Sequence, residues 1–176
     1  MSGHSKWKKI KHQKGAADQK RGQIFSKLLA AISVAAKDES NPQFNPRLRS
    51  TIEKARQNNV PLENIERAIK RSQEVKDFEE LTMEAYGPEG SAVIIEVITD
   101  NRNRAVSEIK KIINDHNAKW ADSGSVLWAF EKSAEYGGGW QAKFPQEISA
   151  EGKEKLQNLI EALEEHNNVQ GVYTNS

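Results

Sequence analysis

Residues Ser91–Ile113 read SAVIIEVITDNRNRAVSEIKKII, and this stretch decides the architecture. Its first part, with Val93, Ile94, Ile95, Val97 and Ile98, is a near-continuous apolar run, the pattern of a strand covered on both faces. Its last part sets Ala105, Val106, Ile109, Ile112 and Ile113 on one side of a helix. A strand running straight into an amphipathic helix is an α/β unit, and the neighbouring segments extend it. Upstream, Leu81–Tyr86 reads as one more strand, joined to Ser91–Thr99 through the turn Gly87-Pro88-Glu89-Gly90. Downstream, Val126–Phe130 and Trp140–Phe144 read as strands. Leu156, Leu159, Ile160 and Leu163 mark a helix with Ser149 as its cap, and Val169–Tyr173 reads as a last strand. From Ser91 onward the order is βαββαβ, a ferredoxin-like sandwich with one extra N-terminal strand. Gly137-Gly138-Gly139 reads as a joint between its halves.

The segment before Leu81 has a different period. Phe25, Leu28, Leu29, Ile32 and Ala36 fall on one helix face. Asn41-Pro42 breaks the chain. Asn45-Pro46 opens a second helix, cap residue first and proline next, with Leu48, Ile52 and Ala55 as its stripe. Asn58-Asn59 stops it. Pro61 opens a third helix with Ile65, Ala68 and Ile69 inward. Three short amphipathic helices bury their stripes only against one another, so the expected fold class is α+β: a three-helix domain at 1–76 and an α/β domain at 77–176.

Charge divides at the same place. The chain of 176 residues has a formal net charge of only +1. Residues 1–76, however, hold 17 Lys and Arg against 7 Asp and Glu, while residues 77–176 hold 9 against 18. Two domains of opposite charge imply different partners. The first 14 residues carry Lys6, Lys8, Lys9, Lys11 and Lys14 and no acid. With Trp7 and Ile10 as the larger apolar residues after Met1, they read as a mobile basic arm.

Lysines at this density neutralise phosphate and release counterions. Lys20, Arg21 and Lys27 continue the charge into the first helix, and Trp7 and His12 are interleaved for stacking on bases. Arg47 and Arg49 lie in the first turn of the second helix, where the helix dipole disfavours cations. Their position points to an anionic partner. A solvated tail is the plainer reading of the arm, but the concentration of charge favours nucleic acid. A second candidate surface is Asn101, Arg102 and Arg104, at a strand-to-helix junction of the kind that binds anions. Capping by Asp100 or Asn101 explains part of that junction equally well.

Other functions find little support. There is no cysteine, hence no disulfide and no thiolate metal site. His4, His12, His116 and His166 have no metal-ligand spacing, and no cofactor is expected. His116 and His166 lie near helix C-termini, a favourable place for imidazolium. No phosphate loop, dinucleotide fingerprint, nucleophile elbow or zinc-protease motif occurs. Glu151, Glu154, Glu161, Glu164 and Glu165 read as the wet face of a helix rather than a nuclease's convergent carboxylates. The run Leu28–Ala36 is shorter than the roughly 20 residues of a membrane span. With a mean hydropathy of −0.77, the expectation is a cytoplasmic, monomeric, non-enzymatic protein. A nuclease and a protein-binding adaptor are the competing classes.

Several long motifs carry a resemblance. GHSKWKKIKHQKGAADQKRGQIFSKL (Gly3–Leu28) resembles the opening of the YebC/PmpR family, and NPRLRSTIEKARQNNVPLENIERAIK (Asn45–Lys70) is similar to its second and third helices. YGPEGSAVIIEVITDNRNR (Tyr86–Arg104) and GSVLWAFEK (Gly124–Lys132) resemble its central signatures, and LIEALEEHNNVQGVYTN (Leu159–Asn175) its ending. Members are usually longer by a small α/β domain after the GSVxWxFEK segment. Here Ser133–Gly139 leads directly to the final segment, so the chain resembles a short form without that middle domain.

The resemblance implies regulation of gene expression. Bacterial members are described as transcriptional regulators that bind DNA, and organellar relatives as translational activators. Some members resemble ribosome-associated factors that assist difficult sequences such as proline runs. Carried onto this chain, the contacts fall on Lys6, Lys8, Lys9, Lys11, His12, Lys14, Lys20, Arg21, Arg47 and Arg49. DNA and ribosomal RNA both remain open as the target.

Overall fold

The structure is a computed structural model that describes residues 3–74, 78–133 and 138–176, with side chains from His12 onward in the first helix. The boundary between residues 76 and 77 and Gly137 of the expected joint lie outside the described residues.

Helix α1 (Gly3–Ala35) is a single element of 33 residues. The backbone of the expected mobile arm is therefore helical from Gly3. No proline or run of β-branched residues interrupts Gly3–Leu29, so nothing in this segment stops the helix growing outward from its packed end. Helix α2 (Pro46–Gln57) begins as the sequence predicts, with the Asn45 carboxamide oxygen accepting from Leu48 N at 2.9 Å. Asn59 turns the chain at a φ of 60°, and α3 (Leu62–Glu74) follows. Ile32, Ala35, Ala36, Leu48, Ile52, Ala55, Val60, Ile65 and Ala68 form the buried core of this bundle.

The second domain holds β1 (Glu79–Tyr86), β2 (Ala92–Thr99), α4 (Arg102–Asp115), β3 (Lys119–Ala121), β4 (Phe130–Lys132), β5 (Trp140–Ala142), α5 (Ala150–Glu164) and β6 (Val169–Thr174). Its main sheet is antiparallel with the order β3-β1-β2-β6. On one face Val93, Ile95 and Val97 meet Ile109 and Ile113 of α4 and Leu156, Leu159 and Leu163 of α5. On the other, Ala92 and Ile94 meet Val126, Ala129 and Phe130. The strand reading of Ser91–Thr99 as doubly covered is thereby explained.

The α+β class and the two helices on one sheet face agree with the sequence reading, but the strands are arranged differently. The strand expected as an N-terminal addition, β1, is central and pairs with β2 over eight residues. The three-residue strand β3, which the sequence reading missed, takes the edge beside β1. Strands β4 and β5 leave the main sheet and pair with each other as a separate ribbon. Val126–Phe130, expected as a strand, is instead a 3₁₀ turn at Leu127–Ala129 leading into β4. The cause is Glu84 on β1. Its carboxylate, 3% exposed, accepts the N–H groups of Gly124, Val126 and Leu127 at 2.6, 2.7 and 3.0 Å. Those amides therefore serve a side chain and not a neighbouring strand.

Candidate nucleic-acid interface

Helix α1 has two halves. From Phe25 to Ala35 its apolar stripe packs in the bundle. From His12 to Gly22 every residue is exposed. At 1.5 Å per residue that exposed stretch alone spans about 16 Å, uncovered on every side. His12, Lys14, Lys20 and Arg21 lie on it, and at about 100° per residue the three cations fall within an arc of about 120°, with His12 about 80° beyond Lys20. Among the described residues none of these four has a hydrogen-bonding or ion-pairing partner. Asp18 is the one acid in this stretch. Lys6, Trp7, Lys8, Lys9 and Lys11 belong to the same helix by backbone, and their side chains lie outside the described residues.

The other expected contact residues are placed elsewhere. Lys27 sits where α1 meets the second domain, its Nζ donating to Glu164 O at 2.5 Å. Burial lowers its pKa and the Glu164 charge opposes that shift. Gln23 donates to Glu165 O, and Gln170 donates back to Lys27 O at 3.4 Å. Gln23 and Lys27 thus cover the carbonyl end of α5, where cations and N–H donors are favoured, and fix the direction in which α1 projects.

The helix-start arginines are answered from within the chain. Arg47 forms a two-bond pair with Glu80, and that hydrogen bonding, ahead of a burial effect in the opposite direction, raises the guanidinium pKa further. Arg49 Nη1 donates to Pro42 O at 3.0 Å. Asn101 caps α4 by accepting from Arg104 N at 3.0 Å. Arg104 pairs with Asp100 at 2.8 Å and Arg102 with Glu79 at 3.3 Å. Internal carboxylates and carbonyls therefore account for cations set against a helix dipole. Sequence reading missed these partners because Glu80 and Glu79 lie 33 and 23 residues away from the arginines they meet.

Between α1, α2, the open part of the sheet and the β4–β5 ribbon lies a cleft of about 570 Å³, lined among others by Arg47, Lys54, Glu80, Glu96, Lys132 and Tyr173. Glu96 is its hub, accepting from Trp140 Nε1 at 3.0 Å, Lys132 Nζ at 3.2 Å and Tyr173 Oη at 3.3 Å. The cations and carboxylates here largely satisfy one another. His116 Nδ1 lies 2.9 Å from Ile112 O, and His166 Nε2 lies 2.8 Å from Glu108. Among the described residues no group of three or more His, Cys, Asp or Glu is placed to hold a metal ion. No described helix is long and apolar enough to cross a membrane.

Two family models match the chain. The model of the TACO1/YebC protein N-terminal domain matches residues 5–75, and that of the TACO1/YebC second and third domain matches residues 78–137. A protein of Geotalea uraniireducens named "probable transcriptional regulatory protein" is 54% identical over 136 residues, covering 75% of this chain and 55% of its own length. One of the same name from Dictyoglomus turgidum is 51% identical over 136 residues, with the same two coverages. The chain thus spans about half the length of these curated relatives. A solved structure, a conserved hypothetical protein from Aquifex aeolicus, superposes with a TM-score of 0.82 at 31% identity, covering 90% of each chain.

Proposed function

The chain belongs to the TACO1/YebC family, whose relatives are named as regulatory proteins, and on that premise we propose that it is a non-enzymatic regulator of gene expression that binds nucleic acid through the projecting half of α1. The observation that carries this reading is the stretch His12–Gly22, exposed on every side with Lys14, Lys20 and Arg21 unpaired among the described residues. Protein cations without an internal partner are those available to phosphate, and each one engaged releases counterions. The acidic second domain sets the direction of the helix through Gln23 and Lys27.

The relatives' names favour DNA and transcription. The exposure of α1 on every side from His12 to Gly22 favours folded RNA, the target of the translational reading. A helix lying in a B-DNA groove turns one side to solvent, whereas a helix inserted into a crevice of folded RNA is surrounded by phosphate. RNA recognition also works largely through shape and unpaired segments.

Two measurements test the proposal. Replacing Lys14, Lys20 and Arg21 together by Ala should weaken binding across sequences and reduce the slope of log K against log salt by roughly 2 to 3. An unchanged slope removes α1 from the interface. Sedimentation of the tagged protein in lysate treated with DNase or with RNase separates the targets. Co-migration with ribosomal particles that survives DNase supports the RNA reading, and nuclease-sensitive association with DNA supports the transcriptional one.

A further inference from the structure

Six large apolar residues are exposed among the described ones: Ile24, Phe44, Leu62, Tyr86, Trp128 and Phe144. Three of them gather at one spot. Trp128 and Phe144 are 65% and 51% exposed, with ring centroids 5.6 Å apart and planes inclined at 43°. Tyr86 joins them through a shared anchor. The Ser125 carbonyl accepts from Trp128 Nε1 at 2.9 Å, and Tyr86 Oη reaches it at 3.5 Å.

The rings are held rather than loose. The amides of Gly124, Val126 and Leu127 on either side of Ser125 are fixed by the buried Glu84 carboxylate. Lys143 N and Phe144 N both donate to Ala129 O, at 2.8 and 3.2 Å, and Phe144 O accepts from Asn175 Nδ2 at 3.0 Å. With its indole N–H used internally, Trp128 offers solvent its π surface. The Lys143 ammonium lies 5.6 Å from the Phe144 centroid, bringing a cation to the edge of the rings.

We propose that Tyr86, Trp128 and Phe144 form a stacking platform for unpaired nucleobases, with Lys143 meeting the adjoining phosphate. This inference rests on the nucleic-acid reading above and adds to it a second site, on the otherwise acidic domain, specific for unpaired segments. The size and surroundings of the patch select the occupant. A stable protein interface needs roughly 800 Å² from each partner around an apolar centre. Here the exposed apolar surface is three rings, with Lys143 next to Phe144 and Glu131 three residues from Trp128. A flat π system beside a phosphate matches rings next to an ammonium, and stacking of this kind tolerates any base.

The test uses the full chain and fluorescence anisotropy with two labelled probes, an unstructured single-stranded RNA 20-mer and a blunt RNA duplex of the same length. The variants are Trp128→Ala with Phe144→Ala, Trp128→Phe alone, and a chain lacking residues 3–20. The double alanine variant is expected to lose about 5- to 150-fold in single-strand affinity per stacked base, with duplex affinity and salt slope unchanged. Trp128→Phe, which keeps a ring, should retain most of the binding. Unchanged single-strand affinity in the double variant, with binding still lost on deleting residues 3–20, overturns the platform and leaves the helix reading standing. Equal loss on both probes also overturns it, because stacking discriminates between them. If the wild-type chain binds neither probe nor a DNA duplex, both readings fall together.

Discussion

Arg47 of α2 and Glu80 of β1 form a two-bond ion pair across the junction of the two domains, with Nη1 3.1 Å from Oε2. A cation in the first turn of a helix opposes the helix dipole, and a carboxylate from the neighbouring sheet offsets that cost. Both side chains are about half exposed, so the pair contributes at most about 1 kcal/mol. Its larger effect is geometric, because it joins the bundle to the strand that forms one wall of the cleft. Arg47→Ala is expected to lower stability by no more than about 1 kcal/mol and to leave the salt dependence of nucleic-acid binding unchanged. A flattened salt slope in this variant would show that Arg47 exchanges Glu80 for phosphate.

The exposed half of α1 carries Gly15 and Gly22, each with open space where a Cβ would stand. Glycine inside a helix costs about 1 kcal/mol relative to alanine, and a helix without tertiary packing is marginal at such lengths. Gly15→Ala and Gly22→Ala should therefore raise helicity, read by far-UV circular dichroism, without steric penalty. If the bound form is the helix, affinity for nucleic acid rises with helicity, by up to about fivefold for 1 kcal/mol. Higher helicity with lower affinity would mean that the segment binds in another conformation.

The elements legible in the sequence were those specified by local chemistry. The Asn45 cap, the Pro46 start, the stripes of the three bundle helices and the Ser149 cap depend on residues within a turn or two. Features depending on distant partners were hidden. The 3₁₀ turn at Leu127–Ala129 is specified by Glu84, about 40 residues earlier. The central position of β1 depends on eight pairs with β2 and on a three-residue strand with no hydrophobic pattern of its own. The candidate site divides in the same way. The cations of α1 stand out as composition, whereas the internal partners of Lys27, Arg47, Arg102 and Arg104 emerge only from the fold.

Tyr173 yields a prediction in the alkaline range. Burial, reinforced by the adjacent Glu96 carboxylate, raises its pKa from 10.0 to about 12. The folded state therefore holds this proton more tightly than the unfolded chain. The resulting stabilisation is fully present below pH 10.0 and is lost as pH rises toward about 12. Stability should fall with pH across that window, and Tyr173→Phe should make the fall shallower. A spectrophotometric titration should show one late phenol ionisation that disappears in the variant. Loss of an early phase instead would place Tyr173 in an open environment.

Glu84 is a sensitive position in the second domain. Its carboxylate, 3% exposed, accepts three backbone N–H groups, and hydrogen bonds to a charged acceptor are among the stronger ones in proteins. Glu84→Gln keeps the shape but turns one oxygen into an NH₂ group. If the remaining oxygen faces Val126 and Leu127, the new donor confronts Gly124 N–H. If it faces Gly124, two amides lose their acceptor. Either arrangement leaves a buried donor unpaired at about 1–3 kcal/mol, in addition to the lost charge assistance. The melting temperature should drop by roughly 4–10 °C, and the near-UV signal of Trp128 should change as the turn around Ser125 loosens. Single-strand affinity should fall with it, because the amides that hold the Trp128 anchor are the ones released. A variant with wild-type melting temperature and near-UV spectrum would show that the turn is held by the packing of Val126 and Ala129 alone.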